Sequence, residues 1–107
     1  MTCRCNAHES FNRIVADVSR VTGVHRLNIV GKSRTASTVC ARQAVWWLMR
    51  VVSNASYPEI GRLTRRDHTT VLAGVRRADR PEVMAIINAV LELDAAFYGS
   101  AEREQAA

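Results

Sequence analysis

The apolar positions of this chain recur at the period of an α-helix along most of its length. The first stripe runs at intervals of three and four through residues 11–21, which predicts an amphipathic helix with Ser10 as its N-cap and Gly23 as its end. Its members are Phe11, Ile14, Val15, Val18 and Val21. A shorter apolar stripe at intervals of three then predicts a second, short helix or turn that ends at Gly31.

A longer helix is predicted from Ser37 or Thr38, either of which can cap it, to about Ser53. Its expected core contacts are Val39, Ala44, Trp47, Leu48, Val51 and Val52. Trp46 and Trp47 are neighbours and cannot both point the same way, because successive side chains on a helix diverge. We therefore expect one of them in the core, with the other covering the next helices or partly exposed.

The last predicted helix begins at Pro81 and ends at Gly99. Its apolar stripe comprises Val83, Ile86, Ile87, Val90, Leu91 and Phe97. Because no stretch predicts a strand, the expected fold class is all-α, with about six helices in one domain over residues 10–98. Residues 1–9 are expected to be a flexible leader, and residues 99–107 a flexible acidic tail.

Residues 56–78 contain two helix starts separated by a short basic turn. Ser56 and Glu59 have the spacing of a capping box, and Pro58 lies in the first turn, where its missing N–H costs nothing. Asp67 is a good N-cap for the second helix. Two helices joined by a tight turn predict a helix-turn-helix, whose second helix enters the major groove of DNA by its N-terminal end.

The leading end of that second helix carries short polar residues that can hydrogen-bond base edges. These are Asp67, His68, Thr69 and Thr70, and they follow Arg65 and Arg66. Gly61 and Gly74 lie inside the two helices, where glycine costs up to about 1 kcal/mol relative to alanine. We therefore expect each glycine to allow a close approach between helices.

The charge distribution favours a polyanion as the partner. The net charge is +5, and residues 32–80 carry ten basic and three acidic side chains, whereas residues 81–107 carry one and five. Residues 32–37 form a basic loop that either lies along a DNA groove, with an arginine in the minor groove, or merely connects two helices. On the following helix, Arg42, Gln43 and Arg50 are expected to share a polar surface that reaches phosphates.

The sequence lacks the motifs of enzymes and of cofactor-binding proteins. No GxxxxGK[ST] or GxGxxG loop occurs, so we expect no nucleotide, and the histidines have no partners for catalysis. Cys3, Cys5 and His8 do not have the spacing of a zinc site, so we expect no metal and no other cofactor. No membrane span or signal peptide is recognisable, and the expected location is the cytoplasm, on the nucleoid.

The run PEIGRLTRRDHTTVLAGVRRA, which begins at Pro58, resembles the signature of the C-terminal DNA-binding domain of the bacterial replication initiator DnaA. The stretch RDHTTV, from Arg66, is its most specific part, and the resemblance covers residues 11–78. It implies a multi-helix, Trp-repressor-like domain that binds double-stranded DNA at the DnaA box, a short A·T-rich element read in both grooves. The ATPase module of full-length initiators has no counterpart in this sequence.

The resemblance also implies roles for individual residues. The family's minor-groove arginine matches Arg34, in the same loop as Lys32, and its phosphate-binding Arg-Gln pair matches Arg42 and Gln43. A later phosphate contact matches Arg50. The family's helix-turn-helix proline matches Pro58, preceded by Tyr57 where the family commonly has leucine. Its base-reading residues match Asp67, His68 and Thr69, with Thr70 close by.

This sequence departs from the family pattern in the turn and in the loop. The turn before Arg66 is Leu63-Thr64-Arg65, one residue shorter than the commonest form, which contains Phe-Gly. Ala36 and Cys40 stand where basic residues are frequent. Fewer phosphate contacts predict weaker binding with a shallower salt dependence.

Two functions remain open from the sequence. The first is sequence-specific binding of double-stranded DNA, by which the protein competes with the initiator for its boxes and regulates replication initiation or transcription. The alternative is a protein-interaction module that binds full-length DnaA or another replication protein with little DNA binding of its own. The depleted loop and the acidic tail favour the alternative, whereas the intact run from Arg66 to Thr70 favours DNA binding.

Overall fold

A computed structural model of the protein describes residues 6–93, with their side chains from residue 9 onward. These residues form six α-helices and one 3-10 turn, without a strand, so the predicted all-α class is confirmed. The helices are α1 (Asn6–Thr22), α2 (Arg26–Val30), α3 (Ala36–Val51), α4 (Tyr57–Thr64), α5 (His68–Arg76) and α6 (Pro81–Leu93), and the 3-10 turn is Arg77–Asp79. Within this range, no helix is both long and apolar enough to cross a bilayer.

The core is built around α3, which packs against α1, α5 and α6. Burial of the apolar stripes of these helices is the main favourable contribution to folding, because it removes apolar surface from water. The stripe predicted for α1 is confirmed through Val18, whose side chain is fully buried. The stripe of α6 is likewise confirmed, since Val83, Ile87 and Val90 are fully buried.

Two predicted helix starts are wrong. The first helix begins at Asn6, so Ser10 lies inside it and is not its N-cap. Residues 6–9 contain no glycine or proline that would stop the helix earlier in the chain. The third helix begins at Ala36, and its N-cap is Thr35, which has an extended backbone. Thr38 is buried in the first turn, where its hydroxyl oxygen accepts a hydrogen bond from the Thr35 hydroxyl at 2.7 Å.

The predicted helix ends at glycine are confirmed for α1 and α2. Gly23 has a φ of +76°, the left-handed conformation that favours glycine, and its N–H donates to the Ser19 carbonyl at 2.8 Å. Gly31 is the C-cap residue of α2. The two glycines therefore turn the chain twice between α1 and the basic loop.

Trp46, rather than Trp47, is the tryptophan of the core. Trp46 is buried between α3 and the helix-turn-helix, and its ring N–H donates to the hydroxyl oxygen of Thr64 at 3.3 Å. Trp47 is only partly buried but packs against this core, so the prediction that it contacts the core is confirmed. The period of α3 allowed either residue, and the packing of α5 onto α3 selected Trp46.

Several predictions concern residues outside the described range. They are the part over residues 1–5 of the leader predicted for residues 1–9, the side chains of Cys3, Cys5 and His8, the contribution of Phe97, the end at Gly99 and the acidic tail.

Candidate nucleic-acid interface

The helix-turn-helix consists of α4 and α5, and its first helix begins with the predicted capping box. The Ser56 hydroxyl accepts from the Glu59 N–H at 3.3 Å, and the Glu59 carboxylate accepts from the Ser56 N–H at 3.0 Å. These two bonds satisfy backbone donors that the helix start would otherwise leave unpaired. Pro58 lies in the first turn and is exposed. The capping box thus fixes where the chain enters the motif.

The turn between α4 and α5 closes tightly at Arg65, which adopts the left-handed conformation at φ +56° and ψ +46°. The N–H of Arg66 then donates to the Gly61 carbonyl at 2.8 Å. A Cβ atom on Gly61 would lie 2.5 Å from the Arg66 carbonyl oxygen, so only glycine fits there without a backbone shift. The close approach at Gly61 is therefore to the backbone of the turn, rather than to the surface of another helix as the sequence suggested.

The second helix begins at Asp67, whose predicted role as the N-cap is confirmed. Its carboxylate accepts from the Thr69 N–H at 3.3 Å and from the Thr69 hydroxyl. These hydrogen bonds, with the hydroxyl's contribution the largest, lower the pKa of Asp67 below its ordinary value. The carboxylate and the His68 ring are 3.8 Å apart, too far for a hydrogen bond.

The leading end of α5 is open to solvent, as a base-reading surface requires. The side chains of Asp67 and His68 are 65% and 59% exposed, and Thr69 and Thr70 are also exposed. Arg65, in the turn before them, is exposed as well. The structure therefore brings five of the predicted DNA contacts together on one accessible edge.

Arg42 does not lie on an exposed polar surface of α3, and this prediction is wrong. Arg42 as a whole is 7% exposed, and its guanidinium donates to four backbone carbonyls, at 2.7 Å to Ile29 and at 3.0 Å to each of the other three. The three others belong to Asn28, Gly31 and Ser33. Burial, and then the positive charge of Arg66, lower the pKa of Arg42 below its ordinary value. Arg42 therefore holds the end of α2 and the beginning of the basic loop in place.

Gln43 is also buried, which contradicts the predicted polar surface at this position too. The residue is 5% exposed, and its amide oxygen accepts from the guanidinium of Arg80 at 2.7 Å. Arg80 also donates to the Arg77 carbonyl at 3.3 Å. This contact places an arginine that the sequence analysis had not singled out beside the predicted phosphate-binding pair. No local pattern could reveal it, because Gln43 and Arg80 are 37 residues apart.

Arg50 is half-buried near the start of α4. Its guanidinium lies 5.2 Å from the centre of the Tyr57 ring and donates to the Asn54 side-chain oxygen at 3.1 Å. The distance to the ring is within the range of a cation–π interaction. Arg50 and Tyr57, which were both predicted to contact DNA, are thus neighbours in the structure.

The basic loop and the start of α5 are joined by Arg66. This arginine is only half exposed, because its guanidinium donates to the Gly31 carbonyl and, at 3.0 Å, to the Thr64 carbonyl. Lys32 and Arg34, which follow Gly31, are exposed. The loop that carries the predicted minor-groove residues therefore lies beside the turn that leads into the predicted major-groove helix.

The described part of the chain contains no group of three or more His, Cys, Asp or Glu side chains placed to hold a metal ion. Its features are instead a capped helix with an exposed polar start, an adjoining basic loop and a tight turn. This fold and this site define the protein as a helix-turn-helix domain.

The comparison with known proteins identifies the family. A family model described as the bacterial dnaA protein helix-turn-helix matches residues 11–78, and the chain belongs to this family. Membership implies binding to double-stranded DNA through a helix-turn-helix.

Similar sequences occur in proteins named chromosomal replication initiator protein DnaA. The chain is 41% identical over 70 residues to that of Xanthobacter autotrophicus, which covers 61% of this chain and 14% of the relative. It is 42% identical over 72 residues to that of Rhodopseudomonas palustris, covering 66% and 15%, and 40% identical over 72 residues to that of a Bradyrhizobium strain, covering 66% and 14%. The matched region is thus about one seventh of the length of these relatives.

Proposed function

We propose that this protein binds double-stranded DNA in a sequence-specific way, at sites like the DnaA box. The N-terminal end of α5 would enter the major groove, where Asp67, His68 and Thr69 read base edges. The basic loop would lie over the adjacent minor groove and insert Arg34. Such binding would place the protein on the nucleoid and let it influence replication initiation or transcription.

The observation that carries this proposal is the exposed, capped start of α5 beside the basic loop. A helix N-terminus whose polar side chains are exposed to solvent suits the edges of bases. The surrounding excess of basic side chains over residues 32–80 attracts the phosphate backbone. Lys32, Arg34 and Arg65 are exposed and belong to this basic region.

The test is a titration of two duplexes, one with a DnaA box and one with the same bases scrambled, at two salt concentrations. The wild-type protein should bind the box more tightly. His68→Ala and Arg34→Ala should each weaken binding to the box by about 1–3 kcal/mol, or roughly 5–150-fold. Arg13→Ala on α1, outside the proposed interface, is the control for a lost positive charge and should leave the preference unchanged.

Equal affinity of the wild-type protein for the two duplexes would remove the claim of sequence reading. Unchanged affinity for the DnaA-box duplex in both His68→Ala and Arg34→Ala would contradict the proposed docking geometry.

One structural feature supports the alternative of a protein-interaction module. Arg42 and Gln43, the expected phosphate-binding pair, are buried and hydrogen-bonded inside the protein. With fewer phosphate contacts, DNA binding would be weak and a protein such as the initiator could be the principal partner. Absent binding to either duplex at low salt, together with binding to full-length DnaA, would favour this alternative.

A further inference from the structure

The carbonyl oxygen of Gly31 accepts hydrogen bonds from two arginines that belong to different parts of the fold. Arg42, from α3, donates to it at 3.0 Å, and Arg66, from the end of the helix-turn-helix turn, donates to it as well. A carbonyl oxygen has two lone pairs, so it can accept both bonds at once. Gly31 directly precedes the basic loop and is therefore the point where that loop begins.

The two arginines attach the loop to different supports. Arg42 also donates to the Ser33 carbonyl at 3.0 Å, which ties the loop to α3. Arg66 also donates to the Thr64 carbonyl at 3.0 Å, which ties Gly31 to the turn that leads into α5. A planar guanidinium can bridge two carbonyls in a fixed geometry, whereas the single ammonium of lysine is much less constrained.

Only glycine fits at position 31 without a backbone shift. A Cβ atom on it would lie 2.7 Å from the Leu27 carbonyl oxygen of α2. The carbonyl that receives the two arginines is thus tied to α3 and to the turn. In the loop that follows it, the side chains of Lys32 and Arg34 are exposed.

We propose that Arg66 is a positioning residue that sets the basic loop against α5, so that the minor-groove and the major-groove contacts are made together. This inference rests on the proposed function, and it gives Arg66 a role through the Gly31 carbonyl instead of a direct contact with a base. A loop held in its binding conformation loses less conformational freedom when DNA binds, so Arg34 contributes more of its contact energy to affinity. Arg42 alone would hold the loop to α3 but would not set its distance from α5.

The first measurement uses the free protein and no DNA. Backbone order parameters from ¹⁵N relaxation should fall for residues 32–35 in Arg66→Met, which removes the donors, and in Arg66→Lys, which keeps the charge but not the fork. If Arg66→Met does not fold, the order parameters of Arg66→Lys alone test the proposal. Arg65→Met, the same substitution one residue earlier, is the matched control and should leave the loop order parameters unchanged. Unchanged order parameters in both Arg66 variants would overturn the proposal.

The second measurement is a double-mutant cycle on the duplex with the DnaA box. Arg34→Ala should weaken binding roughly 5–150-fold in the wild-type background, and its effect should fall close to none in the Arg66→Lys background. His68→Ala should cost the same in both backgrounds, because its contact does not pass through the loop. If Arg66 only stabilised the fold, Arg66→Lys would reduce the effects of Arg34→Ala and His68→Ala by the same factor, and this outcome would overturn the proposal.

Replacement of A·T pairs by 2,6-diaminopurine·T pairs gives an independent readout of the minor groove. The modified base adds an amino group in the minor groove and leaves the major-groove pattern of A·T unchanged. The wild-type protein should lose affinity for this duplex, and Arg66→Lys should lose markedly less. An Arg34→Ala effect of equal size in both backgrounds, or equal sensitivity of both proteins to the modified base, would overturn the proposal.

Failure of the proposed function would look different. In that case the wild-type protein would bind the box and the scrambled duplex equally, which would overturn coupled reading as well. A protein that prefers the box but shows no coupling between Arg34 and Arg66 would overturn the role of Arg66 alone.

Discussion

The six-membered ring of Trp46 lies against the backbone of Gly74, so that even a methyl group on this glycine would overlap the ring. The same indole donates to Thr64, in the last turn of α4. One side chain of α3 thus contacts both helices of the helix-turn-helix. The position of α5 against α3 depends on this contact, and so does the direction of its polar N-terminal end.

Gly74→Ala should therefore destabilise the protein, although alanine is the better helix former. Overpacking a core costs about 1–3 kcal/mol, and the gain in helix propensity offsets about 1 kcal/mol of it. We expect a net loss of up to about 2 kcal/mol in the free energy of unfolding, measured by urea denaturation.

The companion variant is Trp46→Leu, which removes the ring. In that background, Gly74→Ala should cost much less, because the added methyl group then has space. An equal cost in both backgrounds would mean that the ring is not what excludes alanine.

Arg65 occupies the left-handed position of the turn, where glycine would have no steric strain. A side chain in this conformation costs about 1–2 kcal/mol, and glycine loses about 0.5–1 kcal/mol through its greater freedom when unfolded. Arg65→Gly should therefore be more stable than Arg65→Ala, by up to about 1.5 kcal/mol. The two variants lose the same charge, so thermal unfolding compares them directly, and equal stabilities would argue against a strained turn.

Asp67 should make stability depend on pH in the acid range. Its pKa is lowered in the folded state by the hydrogen bonds from Thr69, so its ionised form favours folding. This contribution is fully present above the ordinary aspartate pKa of about 3.9 and is lost as the pH falls through the lower folded pKa. Asp67→Asn retains a capping side chain but does not titrate.

The measurement is the melting temperature of both proteins from about pH 6 down to about pH 2.5. The titration of other carboxylates cancels in the difference between the two melting temperatures. As the pH falls, the melting temperature of the wild type should therefore decrease more than that of Asp67→Asn. A difference that stays constant over this range would contradict the role of the carboxylate.

Arg50 should contribute to DNA binding without contributing to sequence preference. It lies over Tyr57 near the start of α4, and we expect its guanidinium to contact a phosphate there. Arg50→Ala should weaken binding to the box and to the scrambled duplex by the same factor, and the slope of log affinity against log salt should become shallower by about 1. Arg13→Ala serves again as the control, and a loss confined to the box duplex would show that Arg50 reads sequence.

Interactions between near neighbours in the chain were predictable. The capping box of Ser56 and Glu59, the N-cap at Asp67 and the helix end at Gly23 all follow from residues at most four positions apart. The same is true of the apolar stripes, whose period gives the helices and the faces they bury. Even here, the starts of α1 and α3 were misplaced, because several polar residues near each start are plausible caps.

Contacts between distant residues were not predictable. Arg42 and Gln43 were assigned to an exposed face because they are polar and were expected to lie on the side of the helix opposite the apolar stripe. Both are buried because partners 9 to 37 residues away satisfy their polar atoms. Burial of a polar group is favourable only where such partners exist, and these appear once the helices have packed.

By itself, the sequence determined the all-helical class, the helix-turn-helix and its two caps, because local spacing and side-chain chemistry carry that information. The family followed from the resemblance of the run that begins at Pro58 to a known signature. Only the tertiary structure decided that Trp46 rather than Trp47 supports α5, that Arg42 anchors the loop, and that Arg66 meets it at Gly31. The reason is physical: the donor on Arg66 and the carbonyl of Gly31 are 35 residues apart, and only the packed helices bring them together.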